Sequence, residues 1–201
     1  MTHPLFVLAD SAGMQNSEYS DGHWRRLNLP HDWAIEGDFS PSNPSGASGG
    51  ALPGGIGWYR KHFSLSPDEK YDRFTITFDG VYMNSTVYIN GHKLGTRPYG
   101  YSTFEYDLTP YIYKKGDNVI AVKVDNSDQP NSRWYSGCGI YRHVWLTKTQ
   151  KKAYIPQWGQ YVATTPKGDV RVKVDFHASG SRMKLSIRNT CLLYTSPSPR
   201  D

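Results

Sequence analysis

The chain has 201 residues, a net charge of +5, 20% charged side chains and 14% aromatic ones, including 15 Tyr and 6 Trp. That length admits one large β domain, or one domain and part of a second. The Lys and Arg residues are scattered, which argues against nucleic acid, and no apolar run is long enough to span a membrane.

Read from its start, the chain shows Met1 to Ala9 with a short apolar run and no basic region ahead of it, a poor match to a signal peptide. Residues 1–50 read as mostly irregular and rich in Gly, Ser, Pro and Asn. Trp58 to Leu65 reads as a strand reached through a glycine-rich loop, and Ser66-Pro67-Asp68-Glu69 as a turn. From Arg73 to Phe78, apolar Phe74, Ile76 and Phe78 alternate with Thr75 and Thr77, the period of a half-buried strand. Thr86 to Ile89, Asn90-Gly91 and His92 to Leu94 form a hairpin pattern, because both turn positions favour φ > 0. Phe104 to Leu108, Val119 to Val124 and Val144 to Leu146 complete the first set of strands.

Short strands at this spacing, without helical periodicity, predict an all-β antiparallel sandwich. A second unit is expected from Ala153, with strands at 160–165, 169–176 and 183–188. Three strands make an incomplete sandwich with raw edges, so the sequence reads as cut within a second domain. Cys191 to Asp201 breaks the strand pattern. It is similar to translated sequencing-adapter read-through, the alternative being a Ser/Pro tail, and it is set aside as non-native. The basic cluster Lys148 to Lys152 reads as a solvated connector.

The functional signal is concentrated in Ser132-Arg133-Trp134-Tyr135-Ser136-Gly137-Cys138-Gly139-Ile140-Tyr141-Arg142. Aromatic faces can stack on the C–H face of a pyranose, planar polar groups can read its hydroxyls, and the glycines allow close backbone approach. Asp32 is a further candidate, since a carboxylate can accept two sugar hydroxyls; the competing reading, which is preferred, makes it a turn carboxylate that ties down its loop. His31 reads equally as a hydrogen-bonding core histidine or a functional one, and Trp33, Trp58 and Tyr59 read as core or domain-interface aromatics rather than platforms. Cys138 and Cys191 form neither a metal spacing nor a disulfide framework, and Cys138 has no assignable base. The remaining Asp and Glu residues read as solvated, so no catalytic residue, metal ligand or cofactor is assigned.

Four blocks carry a family resemblance. Trp24 to Trp33, Gly49 to Lys61, Asp79 to Ser85 with Tyr88 to Gly91, and Ser132 to Arg142 occur in the order found in glycoside hydrolase family 2, most like its bacterial β-galactosidase branch. The resemblance implies a jelly-roll β-sandwich sugar-binding domain over residues 1–150, followed over 153–190 by the truncated start of an immunoglobulin-like β-sandwich domain. It further implies a (β/α)₈ barrel with two catalytic glutamates, which this sequence lacks, acting on a β-linked glycoside. By position, Arg133, Trp134 and Tyr135 are expected at or near the sugar, the alternative for Trp134 being packing between domains. Some members carry an acidic residue where Arg133 aligns, and an arginine there could meet a hydroxyl, a charged substituent or a carboxylate of the barrel. The alternatives are a free-standing carbohydrate-binding module and an adhesive sandwich with an aromatic patch on a flat sheet face. Compartment is left open, with a bacterial periplasmic or secreted setting compatible.

Overall fold

The structure, a computed structural model, describes residues 3–178. The chain divides into two compact units, Met1–Lys151 and a second beginning at Lys152.

The first unit is all-β. Its strands are β1 (Leu5–Leu8), β2 (Arg25–Arg26), β3 (Gly55–Ser64), β4 (Arg73–Phe78), β5 (Ser85–Ile89), β6 (His92–Arg97), β7 (Phe104–Asp107), β8 (Asp117–Asn126) and β9 (Val144–Thr149). They form a six-stranded sheet, β2-β1-β3-β8-β5-β6, and a three-stranded sheet, β7-β4-β9, with antiparallel pairing throughout. The chain changes sheet at every connection from β3 to β9 except the β5–β6 hairpin. At that hairpin Asn90 and Gly91 have φ of 49° and 82°, as the Asn-Gly pattern predicts.

Phe74, Ile76 and Phe78 of β4 and Val87, Ile89, Val122 and Val124 of the larger sheet are all buried in one core cluster. Thr75 and Thr77 are buried as well, against the expected alternation. β4 is the central strand, and Glu105 and Trp145 flank Thr77 in register on either side, so Thr77 is covered by long neighbours. Thr77 Oγ1 donates to Glu105 at 3.0 Å, whereas Thr75 Oγ1 has no hydrogen-bond partner among the described residues.

The three-stranded sheet is too narrow to cover the six-stranded one. An apolar cleft of about 230 Å³ opens between them, lined by Phe63, Ile76, Phe78, Val122, Val144 and Leu146 among others.

The first 50 residues are mostly irregular, as expected, and add as strands only β1, which pairs along β3, and the short β2. One expectation nearby needs correction. The glycine-rich approach to Trp58 is itself strand, since β3 begins at Gly55. Gly57 has no side chain because Trp33 and Phe6 occupy the space: a Cβ there would lie 2.8 Å from the Trp33 ring.

The outer face of the larger sheet is covered by the loop between β1 and β2, and Arg60 fastens it. The guanidinium is fully buried and every donor is used. Nε donates to Asp21 at 2.5 Å, Nη1 to the carbonyls of Met14 and Asn16 at 2.7 and 2.8 Å, and Nη2 to those of Ser17 and Tyr19 at 3.2 and 3.4 Å. Asp21 is therefore a buried partner, not a solvated acid. Lys148 is likewise no connector: it sits on β9 and pairs with Glu69.

His62 links this loop to β8. Its Nε2 lies 2.8 Å from Asp21 and its Nδ1 2.5 Å from Asp117, an arrangement that favours the doubly protonated ring. Burial alone would lower its pKa, but hydrogen bonds to Asp117 and Asp21 raise it above 6.5. The Asp21 carboxyl is also opposed by burial, yet Arg60 and His62 hold it below 3.8. The His62 contribution is thus full below about pH 6.5 and is lost as pH rises through the raised value; the Asp21 contribution is full above about pH 3.8 and is lost as pH falls through the lowered one. The denaturation midpoint is expected to decline as pH rises through the raised His62 value, and His62→Gln should remove that decline. An unchanged pH profile in the variant would exclude the linkage.

In the second unit, β10 (Ala153–Tyr154) pairs with β13 (His177–Ala178), and β11 (Gln160–Thr164) with β12 (Val170–Val174). The strand expected at 183–188 and the tail at 191–201 lie outside the described residues.

Candidate functional site

The segment 31–33 runs beside 138–140 through two backbone hydrogen bonds, His31 N to Ile140 O at 2.8 Å and Trp33 N to Cys138 O at 3.0 Å. Asp32 sits at this junction. Its Oδ1 accepts from the N–H of Ala34 at 2.9 Å and of Cys138 at 2.8 Å, and its Oδ2 accepts from the Tyr135 hydroxyl. Two of the predicted site residues, Asp32 and Tyr135, are thus brought into direct contact. The carboxylate acts as the turn residue favoured from sequence, reaching across the fold as well as along it.

The loop 127–137 leaves β8 at Asn126 and returns to this junction. The Asn126 side chain is buried. Its Nδ2 donates to Gly137 O at 3.1 Å and to Cys138 Sγ at 2.9 Å, and its Oδ1 accepts from Asn131 at 2.6 Å. Both ends of the loop are therefore held by side chains. Gly137 (φ 77°) and Gly139 (φ 124°) fit because a Cβ on either would strike the group it packs against, Asp32 in one case and Tyr59 in the other. Nothing in residue spacing marks Asn126 or Asn131 as parts of this assembly.

The loop tip is different. Trp134 is 79% exposed, Tyr135 is 42% exposed and Arg133 is exposed. Ser132 Oγ bonds the Trp134 carbonyl, shaping the turn without covering the indole. The crevice beneath the loop has a volume of only about 10 Å³, scarcely room for a water molecule, so nothing of pyranose size fits beneath it.

Electrostatics agree with a holding role at the base. Burial, reinforced by the facing Asp32 carboxylate, pushes the Tyr135 phenol up, so it stays a hydrogen-bond donor. Burial pushes the Cys138 thiol up to about 11, which keeps it from acting as a nucleophile at neutral pH. His31 is buried between Tyr59 Oη (2.7 Å) and Arg25 Nη2 (2.9 Å), and burial lowers its pKa. Glu36 Oε2 also lies 3.3 Å from Nε2 and opposes that lowering. Trp33, Trp58 and Tyr59 are buried, as core residues should be.

The family description "Glycosyl hydrolases family 2, sugar binding domain" matches residues 51–150. The chain belongs to glycoside hydrolase family 2. A β-galactosidase of Bacteroides ovatus is 60% identical over 160 residues, 80% of this chain and 19% of that protein. A β-glucuronidase of Formosa agariphila is 33% identical over 156 residues, 70% of this chain and 16% of that protein. The crystal structure of a β-glycosidase from Bacteroides vulgatus superposes with a TM-score of 0.84 at 41% identity, covering 90% of this chain and 24% of that one. The chain of this glycoside hydrolase family 2 member therefore spans about a fifth of the length of the curated relatives it matches.

Proposed function

We propose that residues 1–150 form the jelly-roll sugar-binding domain of a retaining β-glycosidase of the β-galactosidase type, and that residues from 153 open an immunoglobulin-like domain. The 60% identity to a β-galactosidase supports the substrate class. In this reading a β-linked glycoside is cleaved in a barrel elsewhere in a longer polypeptide. Two carboxyl groups about 5–5.5 Å apart serve there as nucleophile and acid/base. This domain contributes binding and orientation, with Trp134 stacking on the sugar and Arg133 donating to its hydroxyls. Tyr135 and Asp32 act one step back: they fix the loop that carries those side chains.

The observation that carries the assignment is an indole 79% exposed at the tip of a loop whose base is tied at both ends. An exposed aromatic on a fixed support loses little entropy when a ligand covers it. Calorimetric titration of the 201-residue chain with galactose is expected to show millimolar binding, about −4 kcal/mol. Trp134→Ala should weaken it about tenfold and leave the melting temperature unchanged, because little of that side chain is buried. The same chain should release no nitrophenol from an aryl β-galactoside. Turnover, or full galactose affinity in Trp134→Ala, would overturn this assignment.

A further inference from the structure

A second aromatic feature lies on the connection between β6 and β7, residues 98–103. Tyr99 and Tyr101 are 61% and 55% exposed, although the loop bearing them is firmly held. Gly100, between them, is buried against the ring of Tyr82, where a Cβ would collide. Its carbonyl accepts from the Tyr141 hydroxyl at 2.8 Å, and the carbonyl of Pro98 accepts from the N–H of Asn84 at 3.2 Å. Tyr101 lies with its ring centroid 5.2 Å from Tyr82, 5.8 Å from Tyr99 and 6.4 Å from Tyr141.

The cluster adjoins the base of the 127–137 loop, since Tyr82 Oη donates to Asn131 Oδ1 at 3.1 Å. Polar groups border it: Arg97 donates to Ser102 Oγ at 3.0 and 3.1 Å. Burial among the neighbouring phenols raises the Tyr101 pKa, so its hydroxyl remains a donor. Two exposed rings set edge to face at 69°, bordered by a guanidinium and hydroxyls, offer separate faces on which a pyranose can stack. A stable protein contact needs about 800 Å² per partner, more than two rings present.

We propose that Tyr99 and Tyr101 form a second carbohydrate platform, which takes a pyranose of a β-linked oligosaccharide in addition to the terminal sugar addressed by Trp134. The proposal rests on the reading of this unit as a sugar-binding domain and extends it from a monosaccharide to a longer chain. Its energetic basis is ring stacking, which an immobilised turn delivers without ordering a loop on binding.

The test compares galactose with β-1,4-linked galactotetraose by calorimetry on the same chain. The tetrasaccharide is expected to bind about tenfold more tightly, two stacked rings each contributing a modest increment. Tyr99→Ala/Tyr101→Ala should abolish that gain and leave galactose affinity unchanged, with a small fall in melting temperature because the Tyr82 ring loses its contact with Tyr101. Tyr99→Phe/Tyr101→Phe should keep most of it, because the ring does the stacking. No gain for the tetrasaccharide in the parent chain, or a full gain in the double alanine variant, overturns the platform. So does a double variant that changes only the oligomeric state, which would make the patch a protein contact. Trp134→Ala separates the two sites: it should weaken galactose while preserving the ratio between the two ligands. Loss of the sugar role at the loop alone would show as unchanged galactose affinity in that variant.

Discussion

Arg60→Met is expected to destabilise the first unit by about 3–5 kcal/mol, the range seen when one partner of a buried ion pair is removed. The guanidinium is fully buried, and Asp21 is nearly so. Methionine fills much of the volume but leaves the carboxylate facing His62 alone and deprives four backbone carbonyls of a donor. Those carbonyls belong to the loop between β1 and β2, which also supplies Met14 and Trp24 to the apolar cluster beneath it. The loss should therefore spread beyond the ion pair and expose Trp58. Arg60→Lys should recover only a part, since a point charge with three donors cannot serve five acceptors arranged around a planar fork. Urea denaturation followed by tryptophan fluorescence gives the measurement. A cost below about 1 kcal/mol, the level of a surface pair, would mean that the loop closes over β3 without this group.

Asp32→Ala is expected to have the second largest effect, about 1–3 kcal/mol, because the N–H groups of Ala34 and Cys138 lose their acceptor in a partly buried setting. Tyr135 loses its acceptor too, and the 127–137 loop is released at one end. Sugar affinity should fall together with stability. Asp32→Asn is the discriminating variant. Its carbonyl oxygen can accept both N–H groups and its amide can donate to the Tyr135 oxygen, so most of the stability should remain. If the loop is what matters, galactose affinity should remain with it. A variant that keeps its melting temperature but loses the sugar would instead make Asp32 a direct ligand.

Much of this domain was readable along the chain. The alternation at 73–78 sets β4, the Asn-Gly pair sets the β5–β6 turn, and the run from Val119 to Val124 sets the centre of β8. Each is a local statement about side-chain period or turn conformation. The aromatic and glycine content of 132–142 similarly marked the loop that the fold leaves exposed. Exposed aromatics, however, are not confined to that loop. Trp145 stands on the face of β9 with 55% of its surface free, and Tyr99 and Tyr101 rise from a turn that the sequence did not single out. Alternation shows which residues share a face of a strand, but not whether another layer will cover that face.

The ordered motif blocks and the strand periods, read from sequence alone, determined the all-β class, the family resemblance and the place of the exposed aromatic loop. Tertiary structure alone decided what each polar group does. Asp21 and Arg60 stand 39 residues apart, and Asp32 and the Cys138 amide 106. Local propensity reaches only a few residues along the chain, so it cannot specify partners at such separations. Those pairings follow from how the two sheets and their connecting loops pack, and that packing turns an apparently solvated aspartate into a buried counter-ion and gives the turn carboxylate favoured from sequence its distant partners, the Cys138 amide and Tyr135.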